Sequence, residues 1–231
     1  NAESQVFMMD ADNENNGYPI FKKNYTIKVV SNNTAMGTVS GGGSLAYGAT
    51  TTIKATPKTG YHFVKWSDGN TTASRTVTCN GTATYTATFA IDTYVITVTS
   101  ANTNMGTVTG GGTYEYNKSV TIKATPKTGY HFVKWNDGNT NASRSVTVTG
   151  NATYTATFAI NTYALTVVSA NTNMGTVTGS GTYEHNESVT ITATPKEHCH
   201  FVKWDDGDMN ATRTVTITAE ATYTATFAID T

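Results

Sequence analysis

The side chains able to do chemistry recur at a fixed interval. His62, His131 and His200 lie 69 residues apart, each opening an H-F-V-K-W run. An imidazole there could act as a base or bind a metal. No Ser-His-Asp or Cys-His set repeats with it, so it reads as a strand-surface histidine. Residues 25–93 contain no glutamate, and their carboxylates are Asp68 and Asp92. Paired-carboxylate chemistry needs two such groups within about 5–10 Å, whereas these sit in a W-S-D-G-N turn and at the end of the segment. His198, Cys199 and His200 are the one soft-ligand cluster, and strand alternation turns Cys199 away from both histidines. Asp10, Asp12 and Glu14, like Asp205, Asp206 and Asp208, lack the full calcium-loop spacing. Gly41–Gly43 and Gly110–Gly112 precede no helix, so a phosphate cradle is not expected. A Lys–Asn cross-link would need a buried lysine beside a carboxylic acid, which a glutamate-free segment supplies poorly. The reading is a non-catalytic chain with no metal and no cofactor.

Aromatic rings offer the one binding alternative. Trp66, Trp135 and Trp204, with Tyr114, Tyr116 and Tyr183, are either core fillers or platforms on which sugars stack. The N-x-[ST] triplets at Asn70, Asn141 and Asn210 arise readily in so Asn/Thr-rich a chain and would matter in a eukaryotic secretory setting.

The elements that must position these groups come as three copies. Tyr25, Tyr94 and Tyr163 open them, and ATYTATFAI closes each at 83–91, 152–160 and 221–229. MGTV, ATPK and FVKW recur between, in the same order. The domains are therefore a leader (1–24, read as the tail of a preceding domain) and repeats 25–93, 94–162 and 163–231. Such a period marks an array of small units, not one enzyme domain around a cleft. Thr, Val, Tyr and Phe alternate with period two between Gly and Asn turns, and no 3.6-residue stripe is present, so each copy is all-β with little or no helix. In copy 2 the expected strands cover Tyr94–Val98, Met105–Thr109, Val120–Ala124, Tyr130–Trp135, Val146–Val148 and Tyr154–Ile160, with Gly110–Gly112 as a tight connection. The apolar face switches parity between Ile91 and Tyr94, which places a turn or bulge at Asp92–Thr93. So short a tether predicts a semi-rigid, elongated array, roughly 85 Å long if each copy is about 28 Å across.

Composition narrows the partners. Charged residues make up 13% of the chain and the net charge is −1, which leaves no footprint for nucleic acid or anionic lipid. No apolar run reaches the roughly 18 residues of a membrane-spanning helix. Cys79 and Cys199 are not at equivalent positions, so no disulfide between copies is expected. Asn at position 1, and Thr231 one residue short of a fourth opening Tyr, read as ends cut from a longer multidomain chain in which this part is monomeric.

In copy 2, G-x-V-x-G-x-G-x-Y spans Gly106–Tyr114, V-T-I-x-A-x-P spans Val120–Pro126, G-Y-x-F-x-x-W-x-D-G spans Gly129–Gly138, and T-Y-T-A-x-F spans Thr153–Phe158. This string resembles the divergent internalin B-type repeat family, related to the Listeria–Bacteroides repeats, from Tyr25 to Thr231. Copy 3 departs from it where His185, His198 and Cys199 replace Tyr116, Gly129 and Tyr130. The resemblance implies a β-grasp-type fold with most or all of its helix lost; an immunoglobulin-like sandwich is the alternative for so small an all-β domain. It also implies a bacterial cell-surface or secreted protein in which these modules are stalk, spacer or adhesion repeats without catalysis. The alternative function is an adhesin for a host or matrix protein or a glycan, gaining avidity from repeated aromatic platforms.

Overall fold

The computed structural model describes residues 6–8 and 20–231, and among them every regular element is a strand. A short antiparallel pair, β1 (Val6–Met8) and β2 (Ile20–Lys22), precedes the first copy. Copy 1 then runs through β3 (Asn24–Ser31), β4 (Gly37–Ser40), β5 (Gly43–Ala46), β6 (Thr50–Pro57), β7 (Tyr61–Trp66), β8 (Ser74–Thr78) and β9 (Ala83–Ile91). Copy 2 follows with β10 (Thr93–Ser100), β11 (Gly106–Thr109), β12 (Gly112–Glu115), β13 (Ser119–Pro126), β14 (Tyr130–Trp135), β15 (Ser143–Thr147) and β16 (Ala152–Ile160). Copy 3 consists of β17 (Thr162–Ser169), β18 (Gly175–Thr178), β19 (Gly181–Glu184), β20 (Ser188–Pro195), β21 (Cys199–Trp204), β22 (Thr212–Thr216) and β23 (Ala221–Ile229).

Each copy builds two sheets. In copy 1 a four-stranded sheet has the order β5-β3-β9-β7 and a three-stranded sheet the order β4-β6-β8, and the other copies repeat both orders. The first and last strands of a copy pair in parallel, Ile27 opposite Ala83 through Ser31 opposite Ala87, while β5 and β7 flank them antiparallel. A parallel central pair with antiparallel flanks is the β-grasp arrangement, and it rules out the immunoglobulin-like alternative, whose two sheets are antiparallel.

Period-two patterning accounts for the strands. Along β13, Val120, Ile122 and Ala124 are buried while Thr121, Lys123 and Thr125 are exposed. Both sheets of a copy feed one interior: in copy 1, Ile27, Ala87 and Phe89 meet Ile53, Ala55, Val77 and Trp66, and copy 3 repeats the set with Leu165, Ile191 and Trp204. The glycine of each MGTV segment is part of that packing. A Cβ on Gly37, Gly106 or Gly175 would run into the ring of Phe89, Phe158 or Phe227, so the ring fills space that other residues would need.

One element departs from the sequence reading. Residues 112–115, of which Gly112 is expected in a tight connection and the rest in no strand, form an edge strand, as do 43–46 and 181–184. Four residues led by a glycine carry too little alternation to register as a strand, and pairing with β3 or its equivalent creates one. The described residues form two compact units. One comprises the chain up to Val95 with Thr113–Ser119 and Thr147–Asn151, and the other comprises Ile96–Gly112, Val120–Val146 and Ala152–Thr231.

Candidate functional site

Strand β7 and its equivalents β14 and β21 carry most of the candidate residues, and their geometry decides what these can do. Trp66, Trp135 and Trp204 are each 0% exposed. A bulge beside Phe63, Phe132 and Phe201 shifts the strand register, and the phenylalanine rings tilt against the indoles at 5.4–5.5 Å. The stacking-platform reading of the tryptophans is corrected here: no indole face is open to a sugar, because a domain this small needs its largest rings inside. Tyr114 and Tyr183 occupy one position of the repeat and Tyr116 another. All three are half-buried, and the Tyr183 hydroxyl donates to the Gly179 carbonyl at 3.0 Å while its ring packs on the copy 3 core.

The loop after each tryptophan is a latch. The Trp66 indole N–H donates to the Thr72 carbonyl at 3.0 Å, and Trp135 and Trp204 do the same to Asn141 and Asn210 at 2.9 Å. Asp68 accepts from the Asn70 amide and Asn70 from the Thr72 amide, which is the reason short Asx side chains fill this turn. An arginine closes the latch: Arg75 pairs with Asp68, Arg144 with Asp137 and Arg213 with Asp206. The same guanidiniums lie over Tyr85 at 5.2 Å, Tyr154 at 5.2 Å and Tyr223 at 4.7 Å, a cation–π geometry. Arg144 holds the Asp137 carboxyl below its ordinary value of 3.8, and Arg213 does so for Asp206. At Asp68 desolvation is the largest influence and pushes upward, but the Arg75 bond and the Asn70 amide together outweigh it. In copy 3 Asp208 adds a second carboxylate, 3.1 Å from Arg213. Asp206 and Asp208 of the acidic run 205–208 are thus tied to an arginine. Among the described residues no group of three His, Cys, Asp or Glu side chains converges as a metal site would require. Asp10, Asp12 and Glu14 lie outside the described residues.

The repeated histidines have a partner at the end of the copy. His62 donates from Nδ1 to Asp92 at 2.7 Å, His131 to Asn161 at 2.8 Å and His200 to Asp230 at 2.9 Å. All three pairs lie at the surface, and the Asn161 side-chain amide also donates to the Tyr163 hydroxyl at 3.4 Å. His198 precedes β21 with a positive φ of 60° and an 84% exposed side chain, while Cys199 is half-buried, so the cluster splits in two.

Asp92 and Asn161 are also the only residues between the last strand of one copy and the first strand of the next: β9 ends at Ile91 and β10 begins at Thr93, and β16 ends at Ile160 and β17 begins at Thr162. Their backbones are held on both sides. The Asp92 amide donates to the Gly60 carbonyl at 2.8 Å and its carbonyl accepts from the Tyr116 amide at 2.8 Å. Asn161 repeats this with Gly129 at 2.8 Å and His185 at 2.9 Å.

Comparison with known proteins adds the family. The divergent InlB B-repeat domain matches residues 25–93, 96–162 and 163–231. The chain belongs to that family. Its B-repeats are similar in structure to part of the TIE protein of Bacillus anthracis, at 8% identity and a TM-score of 0.42 over 89% of this chain and 50% of that one. The pilus adhesin SpaC from Lactobacillus rhamnosus GG aligns at 9% identity and a TM-score of 0.22 over 92% of this chain and 45% of its own. The chain therefore spans about half the length of these two structures or less. No curated protein matches it.

Two features of the B-repeats escape sequence reasoning, although each left a trace. The His-to-linker pairs 62–92, 131–161 and 200–230 share an offset of 30 residues, and that recurrence could have matched them. The latch of arginine on aspartate shows a similar offset of seven, 68–75, 137–144 and 206–213.

Proposed function

We propose that this chain is a non-catalytic extracellular repeat array of a bacterial surface or secreted protein, acting as a spacer that holds other parts of a longer molecule apart. The observation that carries this reading is the one-residue linker, Asp92 or Asn161, hydrogen-bonded through both its amide and its carbonyl. A tether of that length, fixed on both sides, loses almost no conformational entropy when the copies are ordered. Membership of the B-repeat family and the enclosure of every tryptophan support the same reading, the second because it takes the three indoles away from the glycan-binding alternative. Small-angle scattering of the full chain tests it. A maximum dimension of about 85 Å or more is the expected result for serial copies of this size, and a globule of about 35–40 Å would refute the spacer. Binding of the chain to glycans or matrix proteins, rising steeply with copy number, would replace the spacer by an adhesin.

A further inference from the structure

The turns before the aromatic strands of copies 1 and 2 each meet the next repeat through a ring. Gly60 ends the K-T-G turn with φ of 81°, and a Cβ built on it would overlap the Tyr116 ring. Gly129, also at 81°, meets the His185 ring in the same way. Each contact lies inside a single compact unit, Gly60 with Tyr116 in the first and Gly129 with His185 in the second. Tyr116 and His185 occupy the same position of the repeat, and each is set edge-on to the opening tyrosine of its own copy, Tyr94 at 6.4 Å and 62° or Tyr163 at 6.1 Å and 63°. The corresponding ring of copy 1, Tyr47, adopts the same pose against Tyr25, at 6.2 Å and 63°, yet it is 69% exposed. The pose is thus a property of the repeat, and the coverage comes from the glycine of the preceding one.

We propose that the left-handed glycine of each K-T-G turn is a docking notch for the turn aromatic of the next repeat, and that ring-in-notch contact couples the folding of consecutive repeats. A glycine is required twice over, for its positive φ and for the absence of a side chain where the ring rests. The contact adjoins the linker bonds, since the Gly60 carbonyl accepts from the Asp92 amide and the Tyr116 amide donates to the Asp92 carbonyl, so ring, notch and tether form one assembly. Nearest-neighbour terms of this sort set the stability of repeat arrays. The series stops at copy 3. Glu197 and His198 replace Thr and Gly, and the imidazole stands where a notch would be.

Amide hydrogen exchange on the full chain tests this independently of any spacer role. Gly60→Ala is compared with Gly69→Ala, whose φ of 87° imposes the same backbone strain but whose Cβ would meet nothing within 4 Å. Tyr116→Ala is likewise compared with Tyr47→Ala. The expected result is exchange at the Tyr116 and Asp92 amides faster by about tenfold in Gly60→Ala and Tyr116→Ala, with little change in the two control variants. The double variant Gly60→Ala/Tyr116→Ala should lose less than the sum of its parts, because removing the ring relieves the overlap. Equal effects of Gly60→Ala and Gly69→Ala, equal effects of Tyr116→Ala and Tyr47→Ala, or strict additivity in the double variant would each overturn the proposal.

Discussion

Replacing Trp204 by alanine is the sharpest test of whether each copy owns its interior. The indole is 0% exposed and packs among Leu165, Ile191, Ala225 and Phe227. A buried tryptophan hides about 150–250 Å², which at ~25 cal/mol/Å² corresponds to about 4–6 kcal/mol. Aromatic-to-alanine changes in cores cost ~3–5 kcal/mol, and losing the N–H that serves the Asn210 carbonyl adds about 1 kcal/mol. A domain of copy 3's size, residues 163–231, has roughly 3–10 kcal/mol to lose at the usual 0.05–0.15 kcal/mol per residue. The substitution therefore brings copy 3 to the edge of unfolding while Trp66 and Trp135 stay enclosed. Hydrogen-exchange mass spectrometry resolves the copies separately. Protection in 163–231 should collapse, with copies 1 and 2 losing no more than the joint to copy 3 supplied. Equal loss of protection in all three copies would mean a shared core, and a loss below about 1 kcal/mol in copy 3 would mean that the indole is not a structural centre.

Two other expectations follow from particular residues. Asp68, Asp137 and Asp206 have carboxyls held below 3.8 in the folded protein, so their contribution is present above the unfolded value near 3.9 and is lost as pH falls through the lower folded value. Melting temperature should be flat with respect to these groups from neutrality to about pH 5 and fall below about pH 4, and Asp137→Asn should flatten that acid limb in copy 2 while lowering stability at neutrality. His198 holds a left-handed backbone with a side chain attached, a strain of about 1–2 kcal/mol, partly offset in a glycine by its greater unfolded-state freedom, ~0.5–1 kcal/mol. His198→Gly should therefore stabilise copy 3 by about 0.5–1 kcal/mol, a rise of several degrees in its transition. A fall would show that the imidazole makes a contact worth more than the strain.

Much of this architecture is legible in the sequence because one pattern is written three times. The alternation Val120-Thr-Ile-Lys-Ala sets β13, and the parity switch between Ile91 and Tyr94 marks the linker that the structure places at Asp92. Strand β12 is not legible, since Gly112–Glu115 has too few residues to show a period and exists through its neighbour. Nor does periodicity say which strands pair, so the parallel union of β3 with β9 rests on the whole fold. For the site, chemistry-bearing residues were identifiable but their company was not. His62 reads as an isolated surface group until β7 and the chain end at Asp92 are laid side by side, and Trp66 has the same residue type whether it faces a ligand or the core.

The parallel pairing of β3 with β9 has a mechanical consequence. The chain enters a copy at the start of β3 and leaves it at the end of β9, four residues beyond the last paired position, Ser31 opposite Ala87. Because the two strands point the same way, entry and exit lie at opposite ends of the ladder. Tension applied along the polypeptide slides one strand lengthwise past the other. All the bonds between them are then strained together, where a hairpin pulled open from its ends would surrender them one after another.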